Sequence, residues 1–336
     1  MKRPVSTRAG DRPPRSPGAG PQATHWASIG ESTFGAGLWL LYQVHRWLGR
    51  WPYRLCVLPV IAWYWATQPR ARAASREFLG RVAARRGAAA PGPFASFGHL
   101  LSFADTLLDK LLAMSGRYRF ERLRFEGHEP VLRLIAEGRG GMLVTAHLGC
   151  LELCQAGAER RPGFKLTVLV HTRHAEQFNR LLRRLAPDAG VELIQVTEIT
   201  PATAALLAGR VARGEFVAMA GDRVPLRPTP GSTVAAPFLG RAAPFPVGPY
   251  VLAMLLQCPL FFMACVRDGA GHRVRFTPLA ERVELPRARR GAALAAHAAA
   301  FAAALEAAVL DAPCEWFNFF PFWDQPVAAA PATASR

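Results

Sequence analysis

The chain has 336 residues, 51% of them hydrophobic and 19% charged, and carries a net charge of +17. Such a length and apolar content support one large core with an accessory region and exclude disorder of the whole. The positive excess, almost all arginine, suits an anionic partner such as a membrane surface, nucleic acid or an acidic carrier protein.

Residues 1–24 hold Arg, Pro, Gly and Ser with almost no large apolar side chains, so they are expected to form a disordered basic leader. They lack the apolar run and cleavage site of a secretory signal. Residues 25–86 differ in kind. Six of the eight tryptophans fall between positions 25 and 67, interleaved with Arg46, Arg50 and Arg54. The uncharged run Leu55 to Gln68 contains Pro59 and is shorter than the ~20 residues of a membrane span. Trp and Arg together are typical of the headgroup region, so the segment is expected to be helical and to lie in or dip into a membrane interface. Arg70, Arg72, Arg76, Arg81, Arg85 and Arg86 continue it as a basic helix, which suits either anionic lipid or plain solvation. Gly87 to Pro93 breaks the chain, and Leu100 to Met114 resumes as apolar helix. Residues 87–325 are expected to form the catalytic domain, and 326–336 a flexible tail.

The centre of that domain is Gly141-Met-Leu-Val-Thr-Ala-His147-Leu-Gly149-Cys-Leu-Glu152. Met142 to Ala146 reads as a strand buried on both faces, and the chain beyond it reads as helix. Residues five apart lie roughly 140° apart on a regular helix, so His147 and Glu152 meet only if His147 sits in the turn and Glu152 points back from the second helical turn. Gly149 permits an unusual dihedral or a close approach there. A carboxylate on one imidazole nitrogen raises the basicity of the other, which makes a general base.

Further strands are expected at Leu166 to Val170, Val191 to Val196, Phe216 to Ala220, Leu260 to Val266 and Val274 to Thr277. Helices are expected at Glu152 to Ala158, Glu176 to Leu185, and Ala202 to Arg213 with Thr200 as cap. Leu294, Phe301, Leu305 and Val309 form an apolar stripe on an Ala-rich helix near the end. This alternation implies an α/β fold with a mostly parallel sheet flanked by helices. Such sheets bind ligands at the carboxyl edge, where His147 stands. His171, Arg173 and His174 follow one strand, and Asp222 and Arg223 follow another. Arg173 and Arg223 suit a phosphate or carboxylate, while Asp222 and Arg223 equally suit a structural ion pair. Six scattered cysteines with no framework spacing argue for reduced thiols and against disulfides. A zinc site from His147, Cys150, Cys154 and His171 lacks paired ligand knuckles, so no metal is expected.

His147-Leu-Gly-Cys-Leu-Glu152 resembles the His-x4-Asp/Glu motif of the lysophospholipid acyltransferase superfamily, and in particular its lipid A biosynthesis lauroyl/myristoyl acyltransferase branch. Leu148, Cys150 and Leu151 replace that branch's aromatic and Asn choices. The block Ala236-Pro-Phe238-Leu-Gly240 and the run Phe245-Pro246-Val-Gly248 are similar to two further family blocks, and Gly221-Asp-Arg-Val-Pro225 resembles a turn of a related subgroup. The likeness spans Trp26 to Trp323. It implies a glycerol-phosphate-acyltransferase-like fold at the cytoplasmic face of the inner membrane. It also implies transfer of a fatty acyl chain from acyl carrier protein or acyl-CoA to a hydroxyl of a lipid or glycolipid. His147 would be the base, Glu152 its orienting partner, and Arg173, Asp222, Arg223, Pro246 and Gly248 substrate-binding residues. Gly149 or the Arg223 turn would supply oxyanion donors. No cofactor, metal or nucleic acid is implied. A thioesterase using the same pair, or a non-catalytic basic protein docking on a membrane, are the alternatives.

Overall fold

A computed structural model describes residues 34–159, 164–170, 192–195, 200–225 and 228–325. The expected helix at 176–185, the groups His171, Arg173 and His174, and the leader and tail lie outside these residues. The described chain opens with four helices, α1 (Phe34–Leu48), α2 (Arg50–Thr67), α3 (Pro69–Arg85) and α4 (Ala95–Met114). In α2, Tyr53, Val57 and Ile61 recur every four residues, so they share one face and bury it against Leu100, Leu108 and Leu111 of α4. Arg50 and Arg54 flank this seam and reach Asp109 and Asp105 of α4 at 2.7 and 2.8 Å. The other face of the α1–α2 pair leaves Trp47, Trp51, Leu55 and Trp63 exposed.

Beyond α4, strands and helices alternate as β1 (Leu123–Glu126), α5 (Glu129–Ala136), β2 (Gly141–Thr145), α6 (Leu151–Glu159), β3 (Leu166–Val170) and β4 (Glu192–Gln195). The chain continues through α7 (Pro201–Ala212), β5 (Phe216–Ala220), β6 (Thr233–Phe238), β7 (Arg241–Pro246), α8 (Gly248–Leu256), β8 (Leu260–Asp268), β9 (Gly271–Ala280) and α9 (Arg290–Asp311). Seven strands make one sheet in the order β1-β9-β8-β2-β5-β3-β4, and every neighbouring pair in it is parallel except β8 with β9. The sheet is therefore mostly parallel, as the alternation predicts. Thr200 caps α7 as expected, its hydroxyl accepting from the Thr203 N–H at 3.2 Å.

Three elements depart from the expectation. The strand expected at Val274 to Thr277 is longer and runs antiparallel to its predecessor, because only a short turn at Gly269 separates the two. β1 was not expected: its four residues are half to fully exposed at the sheet edge and carry no apolar run. Nor was the β6–β7 hairpin, whose Pro237, Pro244 and Pro246 argue against a central strand but are tolerated in an isolated two-stranded ribbon.

β2 lies in the middle of the sheet and is buried along its whole length. Met142 and Val144 face a core built with Phe301 and Leu305 of α9 and with Phe78 and Val82 of α3. Leu143 faces the second core, with Val131 of α5 and Leu153 of α6. The basic helix α3 is thus packed into the main core rather than lying wholly on the surface. Arg81 pairs with Glu77 at 2.9 Å and Arg85 with Glu306 at 2.7 Å. The α9 region, residues 287–311, is long and apolar enough to cross a membrane, yet Leu294, Phe301, Leu305 and Val309 are buried against the sheet.

Candidate active site

Strand register brings His147 and Asp222 together. β2 and β5 are parallel neighbours with Thr145 opposite Ala220, so the residues two positions past each strand, His147 and Asp222, emerge side by side at the carboxyl edge. The Gly221 N–H donates to the Thr145 carbonyl at 2.8 Å and continues the pairing into the turn. A side chain at Gly221 would strike Val144 at 2.7 Å and Phe301 at 3.1 Å, so the turn lies tightly on the core.

Asp222 Oδ1 stands 2.8 Å from His147 Nδ1, and Oδ2 accepts the His147 main-chain N–H at 3.0 Å. Oδ2 also accepts from Arg223 at 2.8 Å and from the Trp316 indole at 3.0 Å. Burial alone would raise the Asp222 pKa, but Arg223 and His147 more than offset it and hold the carboxyl well below the ordinary range. An ionised carboxylate only accepts, so the proton of a neutral His147 sits on Nδ1, and among the described residues none hydrogen-bonds the Nε2 lone pair. The ring is 48% exposed while Asp222 is fully buried. Partial removal from water, together with the Arg223 charge, holds the imidazole below its usual pKa against the pull of Asp222. The free base therefore predominates at neutral pH.

The loop that carries His147 is fixed by its backbone. Gly149 adopts φ +65°, and a Cβ there would stand 1.8 Å from the Cys265 carbonyl oxygen, so only glycine fits. Its N–H donates to the Glu315 carbonyl at 2.8 Å, and Cys150 N–H donates to Cys265 O at 2.8 Å. The Gly149 N–H is thus spent within the fold, and the oxyanion role expected for it is withdrawn.

Glu152 is placed differently from the sequence expectation. It lies on the first turn of α6, not the second, and its carboxylate takes the Lys110 ammonium of α4 at 2.9 Å. Burial pushes the Lys110 pKa down, but the Glu152 charge outweighs it and the net shift is upward. The carboxylate that meets the imidazole is Asp222. The reason is geometric: α6 begins at once after the loop and turns Glu152 toward α4, whereas the β5 turn is in register with His147. Arg223 is only 10% exposed; besides Asp222 it donates to the Phe317 carbonyl at 3.0 Å and lies 4.8 Å from the centre of the Phe320 ring. Arg223 and Asp222 thus form the ion pair that one of their two readings describes. Pro246 ends β7 and Gly248 opens α8 beside Met219 at the end of β5, but no hydrogen bond joins either to His147. Lys110 and Trp316 were not anticipated. Neither stands at a strand end, and only the tertiary packing of α4 and of the segment after α9 brings them here.

Between the sheet and helices α5 and α6 lies an apolar cavity of about 380 Å³. Val131, Ile135, Leu143, Cys154 and Met263 wall it. Among the described residues no cluster of His, Cys, Asp and Glu is arranged to hold a metal ion.

A histidine with a buried carboxylate on one nitrogen, set at the carboxyl edge of an α/β sheet, is the arrangement by which enzymes make a general base. Residues 102–325 match the family model of the bacterial lipid A biosynthesis acyltransferases, and the chain belongs to that family. It is an acyltransferase acting with an acyl donor and a lipid acceptor, from a family typically associated with membranes. No individual curated protein matches it.

Proposed function

We propose that the enzyme moves a fatty acyl chain from a thioester, on acyl carrier protein or coenzyme A, to a hydroxyl of a membrane lipid or glycolipid. The observation that carries this reading is the His147–Asp222 pair, with no hydrogen bond to Nε2 among the described residues. Nε2 takes the proton of the acceptor hydroxyl as its oxygen attacks the thioester carbonyl; the C–S bond breaks, and the imidazolium returns the proton to the departing thiolate. No acyl-enzyme is required. Asp222 fixes the tautomer and stabilises the transient imidazolium, and Arg223 holds Asp222. Glu152 and Lys110 set the charge beside the loop. The apolar cavity supports a seat for the acyl tail, since Leu143 on its wall precedes His147 by four residues, about 13 Å along a strand.

The exposed Trp47, Trp51, Leu55 and Trp63 of the α1–α2 pair support docking at the headgroup level of the cytoplasmic leaflet of the inner membrane, with Arg46 beside them. Arg50 and Arg54 also lie there, but their charges are engaged by Asp109 and Asp105.

The test is incubation of the purified enzyme with long-chain acyl-CoA or acyl carrier protein and an inner-membrane lipid extract, followed by mass spectrometry. Gain of one acyl mass on a lipid that depends on His147 is the expected result. Release of free fatty acid with no acylated lipid would make the enzyme a thioesterase instead.

A further inference from the structure

Trp316 is fully buried, wedged edge-on among Phe78, Phe238 and Phe322 with ring centres 4.9, 5.3 and 4.9 Å away. A phenylalanine would fill much of that space without bringing a polar atom into it. An indole does bring one, and its N–H must find a partner when buried. The partner is Asp222 Oδ2 at 3.0 Å, whose other oxygen meets the catalytic imidazole.

The main chain at Trp316 is equally committed. Trp316 lies opposite Leu148 in an antiparallel bridge, with the Phe317 N–H donating to the His147 carbonyl at 2.9 Å and the Gly149 N–H to the Glu315 carbonyl at 2.8 Å. Those two bonds bracket the catalytic loop. The carbonyl of Trp316 faces His99 Nε2 at 2.9 Å, and the Ser75 hydroxyl faces His99 Nδ1 at 2.9 Å. A carbonyl only accepts, so His99 carries its proton on Nε2, and its Nδ1 accepts a hydrogen bond from the Ser75 hydroxyl. Trp316 is therefore held at both ends: Ser75 on α3 and His99 on α4 fix its main-chain carbonyl, and its indole meets Asp222, which meets His147. Ser75, His99 and Trp316 are buried throughout.

We infer that Trp316 is a positioning residue for the base: its indole N–H holds the Asp222 carboxylate in the rotamer that meets His147 Nδ1, and Ser75 and His99 hold the main chain of Trp316. The inference rests on the reading of His147 as base. Among the described residues, the charged groups that face His147 are Asp222 and Arg223 from the β5 turn and, farther off, Lys110 of α4, which Glu152 of α6 pairs. The 315–317 segment adds only its main chain and the indole, since the Glu315 carboxylate turns to Ser102 at 2.7 Å. Removing the indole donor leaves the Asp222 charge less compensated, so it favours the imidazolium more strongly. The His147 pKa then rises, and the base is lost at a higher pH.

Trp316→Phe keeps the ring and deletes the donor. The expected result is a kcat lower by about ten- to a hundredfold with KM little changed. The acid limb of the kcat/KM profile and the His147 titration followed by NMR should both move to higher pH. In the Asp222→Asn background the same change should cost little more, because the two act through one contact. A lower melting temperature with an unmoved His147 titration and full, additive losses would make Trp316 packing alone and overturn the inference. Should Trp316→Phe fail to fold, the Trp316 indole N–H resonance in the ¹⁵N-labelled enzyme replaces it. Its shift should change in Asp222→Asn, and an unchanged resonance overturns the inference. The NMR readouts need no acyl donor, so they stand apart from any failure of the proposed reaction.

Discussion

The turn after β5 and the first turn of α6 each carry a carboxylate close to the loop of His147, and the surroundings of the two are unlike. Asp222 is sealed from water and its oxygens accept from two main-chain or ring groups of His147, from Arg223 and from Trp316. Glu152 is 16% exposed and answers one ammonium, that of Lys110. A carboxylate bound on every side has one orientation and one protonation state, which is what orienting an imidazole requires; a carboxylate with one ammonium, a weak thiol donor and some water can rearrange at less cost. Motif spacing alone favours Glu152, whereas register and burial favour Asp222.

Neutralising each carboxylate in turn tests this contrast most directly. Asp222→Asn should lower kcat by about 10²- to 10⁴-fold, the range a positioned general base contributes, because the amide cannot hold the Nδ1–H tautomer. Steady-state kinetics on a folded variant check it. Near-normal turnover would move the orienting role elsewhere.

Arg223→Ala probes how closely the Asp222 region is charge-matched. Removing one partner of a buried pair leaves the other uncompensated, so stability should fall by about 3–5 kcal/mol while KM for the donor changes little. Denaturant unfolding and kinetics together check this, and a raised KM with an unchanged melting temperature would restore Arg223 as a substrate ligand.

A third test uses acid. Burial holds His99 neutral with a pKa lowered from 6.5 to about 4, so as pH falls between these values the unfolded chain takes up a proton that the folded one refuses. Stability contributed by the neutral ring is therefore present above pH 6.5 and lost on the way down to about 4, by on the order of 3 kcal/mol. Unfolding measured across that window should flatten in His99→Gln. An equal slope in both proteins would place the acid sensitivity elsewhere.

Glu152→Gln should have the smallest effect, a loss in kcat within about tenfold, since it removes a partly exposed ion pair and not the partner of the base. A loss as large as that of Asp222→Asn would reverse the contrast and return Glu152 to the orienting role.

Much of this was readable from local pattern. A continuous apolar run announced β2, Thr200 and Pro201 announced the start of α7, and the turn at Gly221 put Asp222 and Arg223 on the right edge of the sheet. The need for glycine at position 149 was also legible, although the Cys265 carbonyl that enforces it was not. The partner of His147 was hidden because it depends on β2 lying next to β5, and strand order is a long-range property that no local spacing encodes. Trp316 was hidden for the same reason. β1 and the Pro-rich hairpin lack the composition that marks strands, and their pairing is set by neighbours.

The clamp on the catalytic loop also bears on biosynthesis. Trp316 is 94 residues downstream of Asp222, and Phe317 is farther still from His147. At translation rates of 5–20 residues per second, Asp222 waits roughly 5 to 20 s for the indole that completes its shell. During that interval helices α1 and α2 have already been made, so the surface proposed to dock on lipid precedes the completed His147–Asp222 site.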